Sequence, residues 1–237
     1  MLRPLMGPRA NMGMEMASEL PKDARISDYT PREEVANSIT AGIGAALSIA
    51  ALSILAALAG IKGDPWRVVS FSIFGAALVL LYLAATLYHA FRSPRVKSVF
   101  QFIDHISIYI LIAGTYTPFM LVSLRGGWGW SLFGVIWGLA VVGIVFKIYF
   151  MGRFIVLSTT IYLAMGWLIL IALKPALAAI PARGLLWVAI GGCAYTIGVG
   201  WYAWRRLPYN HAIWHLFMLA GSICHFFAVL FYVLPGE

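Results

Sequence analysis

Seven long apolar runs, separated by short breaks, occupy the chain from about residue 35 onward. They fall at about 35–61, 67–91, 99–123, 129–151, 154–173, 184–204 and 210–234. Each approaches the ~20 residues that an α-helix needs to cross the hydrocarbon core of a bilayer. The pattern predicts an all-α, polytopic membrane protein, a seven-transmembrane-helix bundle. "GDPW" (63–66) supplies an N-capping Asp64 and a proline for the first helical turn. "RSPRVKS" (92–98), "RGGWGW" (125–130), "MGR" (151–153) and "RRLPYN" (205–210) mark further breaks. Residues 1–34 differ in character, with four prolines, mixed charges and five methionines. They read as a flexible tail without the basic-then-apolar order of a cleaved signal peptide, and residues 35–237 read as one domain. Within the spans, Gly134 and Gly138 form a small-xxx-small pair expected to mark close helix packing. Pro118 deprives the Gly114 carbonyl of its helical partner, which the hydroxyl of Thr115 or Thr117 is expected to replace.

Composition strengthens the membrane reading. The chain is 62% hydrophobic and 11% charged, against roughly a quarter charged in soluble domains. The net charge of +8 does not point to nucleic acid, because most Lys and Arg lie in short breaks between apolar runs. Twelve of the 17 fall on one side, in the tail and in the second, fourth and sixth loops. The positive-inside bias therefore predicts a cytoplasmic N-terminus and a C-terminus outside. Cys193 and Cys224 both lie in apolar runs and read as small packing residues rather than metal ligands.

Orientation gives the polar intramembrane residues a depth. His89 ends span 2, His211 and His215 begin span 7, and Asp104 lies near the start of span 3. The topology places all four near the cytoplasmic leaflet. His211 and His215 stand at i and i+4, on one helix face. That spacing suits two imidazoles on one metal ion, but it also occurs by chance. Ala212 stands where the metalloprotease pattern has its glutamate. Asp104 is the only acidic residue inside the predicted spans. A carboxylate there is costly and normally faces the bundle interior with a partner. Three histidines leaving room for a water, with a nearby carboxylate to position or deprotonate it, form an open zinc site. Each residue also has a plainer reading: helix-end histidines for His89, His211 and His215, and a structural ion pair with His105 or Arg153 for Asp104. The shared depth of four residues from distant parts of the chain favours a site. His105 points about 100° around the helix from Asp104 and reads as packing or as support. His225, roughly 15 Å deeper than His215 at ~1.5 Å rise per residue, reads as a satisfied buried histidine.

"EEVANSITAGIG" (33–44), "TLYHAF" (86–91), "FQFIDHISIYILIAGTYTPF" (100–119) and "HAIWHLFMLAGSICHF" (211–226) together resemble the hemolysin III family. This is the bacterial branch of the progestin and adipoQ receptor superfamily, which is also similar to the alkaline ceramidases. The resemblance implies a seven-helix bundle in the bacterial inner membrane, with zinc as cofactor near the cytoplasmic side. It implies His89, His211 and His215 as ligands, and Asp104 as the residue that positions or deprotonates a zinc-bound water. Relatives often carry Ser where this chain has Ala85, and His where it has Ala41. The missing serine hydroxyl bears on hydrolysis more than on metal binding, and Thr86 faces another direction.

Several functions are compatible with these residues. One is a zinc protein that regulates membrane lipid state or energetics, with zinc-dependent hydrolysis of a lipid amide or ester as its candidate, ceramidase-like chemistry. Another is a receptor-like or structural bundle in which zinc ties spans 2, 3 and 7 together. A proton or ion path through Asp104, His105 and His225 fits less well, because transporters usually carry more intramembrane charge or broken spans. Cytolysis fits less well too, since seven uniformly apolar spans suit a resident protein. The expected partners are membrane lipids, with no nucleic acid and no named protein partner, and a homo-oligomer is left open.

Overall fold

The computed structural model describes residues 29–235. Seven helices in it are long and apolar enough to cross a membrane. They are α1 (Pro31–Lys62), α2 (Pro65–Ala90), α3 (Pro94–Ser123), α4 (Gly127–Phe150), α5 (Ile155–Ala179), α6 (Ala182–Ala203) and α7 (Asn210–Tyr232). Helix α1 packs along α2, α2 along α3, and α3 against α4. Helices α6 and α7 form a second close pair, and α7 returns to lie against α1. The wide apolar faces left outward, such as Val141, Val142 and Ile148 on α4, are what a lipid-solvated bundle presents.

Local chemistry explains the helix ends. Thr30 caps α1 in a reciprocal capping box with Glu33, and Pro31 occupies the first turn. The helix thus begins four residues before the predicted span, inside the stretch assigned to the tail; residues 1–28 of that tail lie outside the described residues. Helix α1 ends at Gly63 in the left-handed conformation, φ 69°. Asp64 then caps α2 by accepting from the Trp66 N–H, as its sequence context predicts.

Two packing expectations are corrected. A Cβ at Gly134 or Gly138 would meet nothing within 4 Å, so this pair faces outward instead of marking a helix contact. The close approaches lie elsewhere, at Gly143 against the Tyr109 ring and Gly75 against the Leu52 backbone. Around Pro118, Thr115 donates to the Leu111 carbonyl and Thr117 to the Ala113 carbonyl, each four residues back, so neither reaches Gly114. The chain responds instead by widening into a π-helical turn over Phe119–Ser123, with Leu124 N–H donating to the Phe119 carbonyl at 2.8 Å. Helix α5 is interrupted as well, by a 3₁₀ turn over Leu168–Ala172. There the Tyr116 hydroxyl accepts from the Ile169 N–H and donates to the Gly166 carbonyl, supplying partners at the break. Cys224 is buried as expected of a packing residue, whereas Cys193 is exposed on the outer surface of α6.

Candidate metal centre

The two ends that carry the histidines are fixed by the N-terminus of α1. Tyr209, just before α7, adopts a left-handed backbone, φ 58°. Its N–H donates to the Glu33 carboxylate at 3.0 Å, joining the start of α7 to the start of α1. Asn210 turns its amide toward the carbonyls of Trp201 and Tyr202, tying α7 to the end of α6. From this anchored start, His211 and His215 project from one face of α7. His89 comes from the last turn of α2, which lies along α1.

The three imidazoles meet. Ring centroids are 4.9 Å apart for His89 and His211, 5.4 Å for His89 and His215, and 4.6 Å for His211 and His215. Each ring also has its Nδ1 occupied. His89 Nδ1 donates to Glu34 Oε2 at 2.7 Å. His215 Nδ1 lies 3.1 Å from the Asn37 carbonyl and 3.1 Å from the Thr40 hydroxyl. The Thr40 hydrogen is committed to the carbonyls of Ala36 and Asn37, so His215 is the donor. His211 Nδ1 lies 3.0 Å from the Tyr29 hydroxyl, whose pKa burial raises far above its ordinary value, keeping the phenol neutral. A hydrogen on Nδ1 of His89 and of His215 leaves their Nε2 lone pairs free, and His211 offers its Nε2 in the tautomer whose Nδ1 donates to the Tyr29 oxygen.

This arrangement fits a metal ion. One ligand nitrogen from each of His89, His211 and His215 lies within 4.8 Å of the other two. Two zinc–nitrogen bonds of about 2.1 Å span at most about 4.2 Å, so small ring movements bring all three onto one ion. His89 Nε2 is buried without any hydrogen-bond partner. A buried nitrogen lone pair without a partner is unfavourable, and a cation held between the three imidazoles removes that penalty. Imidazoles whose other nitrogen donates to a carboxylate or carbonyl are the usual form of metal-binding histidine.

Asp104 stands apart from this group. It lines a cavity of about 880 Å³ together with Ala85, Tyr88, His105, His211 and His215, while the cluster of ligand atoms holds only the three histidines. Its partner among the described residues is His105 Nδ1, at a long 3.5 Å. That nitrogen makes its shorter contact, 2.7 Å, with the Gln101 carbonyl. Ala85 faces the cavity and places a methyl group there. Thr86 instead donates to the Tyr82 carbonyl and is no replacement hydroxyl. His225 is buried away from the cluster; its Nδ1 lies 2.7 Å from the Gly221 carbonyl and its ring stacks on Tyr195.

The supporting residues were not singled out from sequence. Glu34 accepts from both His89 and Lys97, the latter at 2.9 Å. Lys97, counted among the loop charges, is buried and also donates to the Tyr88 carbonyl. A signal existed in "EEVANSITA": Glu34, Asn37 and Ala41 recur at helical spacing. That places two polar residues on the face α1 turns inward. Glu34→Gln keeps the shape but removes the charge facing His89 and Lys97. We expect it to weaken metal affinity by about 10–100-fold with little change in helix content, measured by competition with a chromophoric chelator.

A seven-helix membrane protein that gathers three histidines from the end of its second span and the start of its seventh is a class defined by both fold and site. The chain belongs to the haemolysin-III related family, whose match covers residues 29–226. It is 52% identical to Hemolysin-3 of Bacillus cereus over 214 residues, covering 90% of this chain and 97% of that protein. It is 50% identical to the Hemolysin-3 homolog of Bacillus subtilis over 204 residues, covering 86% and 96%. A human relative, the monocyte to macrophage differentiation factor, is 28% identical over 182 residues, covering 73% of this chain and 74% of its own. It links the family to the wider progestin and adipoQ receptor superfamily.

Proposed function

We propose that this protein is a zinc-dependent regulator of membrane lipid state in the bacterial inner membrane, acting by hydrolysis of a lipid amide or ester. The observation that carries this reading is the meeting of three imidazoles at a polar cavity that adjoins an apolar one. The second cavity, of about 270 Å³, lies between α3, α5, α6 and α7, and shares Ile108, Tyr162, Val199, Trp214 and Met218 with the first. An amphiphile would place its head beside the histidines and its chain among these residues.

The parts played by the chain's residues follow from their chemistry. His89, His211 and His215 would hold the ion through Nε2, with Glu34, Tyr29, Asn37 and Thr40 fixing the rings. Zinc, when bound, supplies Lewis-acid polarisation and acidifies water. Asp104, on the wall of the same cavity, would accept a proton at its carboxylate. The side chains of the second cavity would bind the acyl chain and exclude water from it. The test is metal analysis of the purified protein, followed by lipid mass spectrometry after incubation with membrane extract. Zinc near one per chain together with a cleaved lipid supports the reading, and a metal-free, folded protein overturns it.

A second reading, a receptor-like bundle with structural zinc, is favoured by Ala85. A methyl group faces the cavity where relatives offer a hydroxyl, and Asp104 lies outside the ligand cluster. Under both readings we place the N-terminus in the cytoplasm, on the twelve-to-five division of Lys and Arg. A reporter active only outside the cytoplasm should be active when fused after residue 237 and silent when inserted near Ser93. The opposite pattern overturns the orientation.

A further inference from the structure

Lys147, one of the twelve Lys and Arg counted on the side of the N-terminus, lies in the last turn of α4 and is only 3% exposed. It lines the same cavity as Asp104, His105, His211 and His215. Among the described residues it makes no hydrogen bond and no ion pair. The contrast is with Lys97, also buried, which pairs with Glu34 and donates to the Tyr88 carbonyl. Lysines near helix ends in a bilayer normally extend outward, keeping the ammonium in water and the stem in lipid. A cation in the last turn does interact favourably with the helix dipole. That explains its place in the turn, but an outward lysine would gain the same interaction and hydration as well.

Asp104 does not neutralise it: the two side chains line one cavity without forming an ion pair. Of the hydroxyls lining the cavity, Ser158 donates to the Phe154 carbonyl and Thr159 to the Ile155 carbonyl. The cavity wall therefore contains an ammonium with three donors and no acceptor of opposite charge in contact with it. An ammonium facing such a cavity is placed to pair with an anionic group that enters it.

We propose that Lys147 is the headgroup-recognition residue of the cavity, and that the ligand is an amphiphile bearing an anionic oxygen group, a carboxylate or a phosphate. The head pairs with the Lys147 ammonium, and the chain occupies the adjoining apolar cavity. This deepens the lipid reading above and rests on it.

Purified zinc-loaded protein in phosphatidylcholine nanodiscs would be titrated with dodecanoate, dodecyl phosphate and dodecanol, which share one chain and differ in the head. Thermal unfolding at matched bilayer content gives the apparent affinity of each. The expected result is that at least one anionic amphiphile binds about tenfold or more tightly than the alcohol. That preference should vanish in Lys147→Met, while alcohol binding and zinc content stay unchanged. Which anion shows the preference separates a carboxylate ligand from a phosphate one. Lys147→Gln serves if the Met variant does not fold. Equal binding of all three by the wild type, or a charge preference that survives in the variant, overturns the assignment and leaves the lipid reading intact. No binding of any of the three removes the lipid reading and the assignment together.

Discussion

Alanine at His89, His211 or His215 is expected to abolish most zinc binding and to lower thermal stability in the same variants. Losing a ligand should exceed the 10–100-fold effect typical of a supporting residue, so purified variants should carry well under half the wild-type zinc by elemental analysis. Stability follows because an ion that binds only the folded state stabilises it by mass action. That contribution is about 2.7 kcal/mol at a free concentration of 100 times Kd. An ion held by the three histidines would also join α2 to α7, adding to the Tyr82–Ser222 hydrogen bond between them. A chelator should therefore lower the unfolding temperature of the wild type and leave that of the triple Ala variant unchanged. His225→Ala provides the control. Its Nδ1 faces the Gly221 carbonyl and its ring stacks on Tyr195, so zinc content should match wild type even if packing suffers. Full zinc occupancy in the triple Ala variant would place the site elsewhere.

Asp104→Asn should separate the hydrolase from the structural bundle. The substitution keeps the side chain's shape and one acceptor oxygen but removes the proton acceptor. Asp104 lines the cavity without joining the three-histidine cluster, so the variant is expected to keep its fold and most of its zinc. If the carboxylate takes a proton during lipid cleavage, turnover should fall by roughly 10²–10⁴-fold, the usual contribution of general base catalysis. Lipid mass spectrometry with the purified protein measures it. A variant that supports the wild-type lipid profile in cells selects the structural reading. A zinc loss as deep as in the histidine variants would make Asp104 a ligand, contrary to the role proposed for it. Because Ala85 presents no hydroxyl to the cavity, Ala85→Ser is a useful companion, and a rise in turnover would tie the missing hydroxyl to the rate.

The seven spans were legible in the sequence because a bilayer imposes a simple demand: backbone groups satisfied within each segment and apolar side chains over some twenty residues. The pairing of His89 with His211 and His215 was legible too, since alternating span direction fixes depth without knowledge of packing. What depth cannot give is azimuth. Whether Lys147 points to lipid headgroups or into the bundle depends on how α4 is rotated against its neighbours, and that is set by many weak contacts at once. The same holds for Gly134 and Gly138, whose spacing suited a helix contact that the fold places at Gly143 and Gly75 instead. At Pro118, the proline marked a break, while the choice of a π-helical turn over a threonine bond to Gly114 was made by the local geometry. Glu34 and Tyr29 were obscured for another reason. They precede the apolar run that defines span 1, and their role exists only because α1 lies against both α2 and α7. Sequence by itself determined the class of fold, the number of spans and the residue types that share a membrane level. Tertiary structure alone decided which ring nitrogen of His89 and of His215 is free and that Glu34 faces His89, because both depend on the direction of side chains converging from different helices.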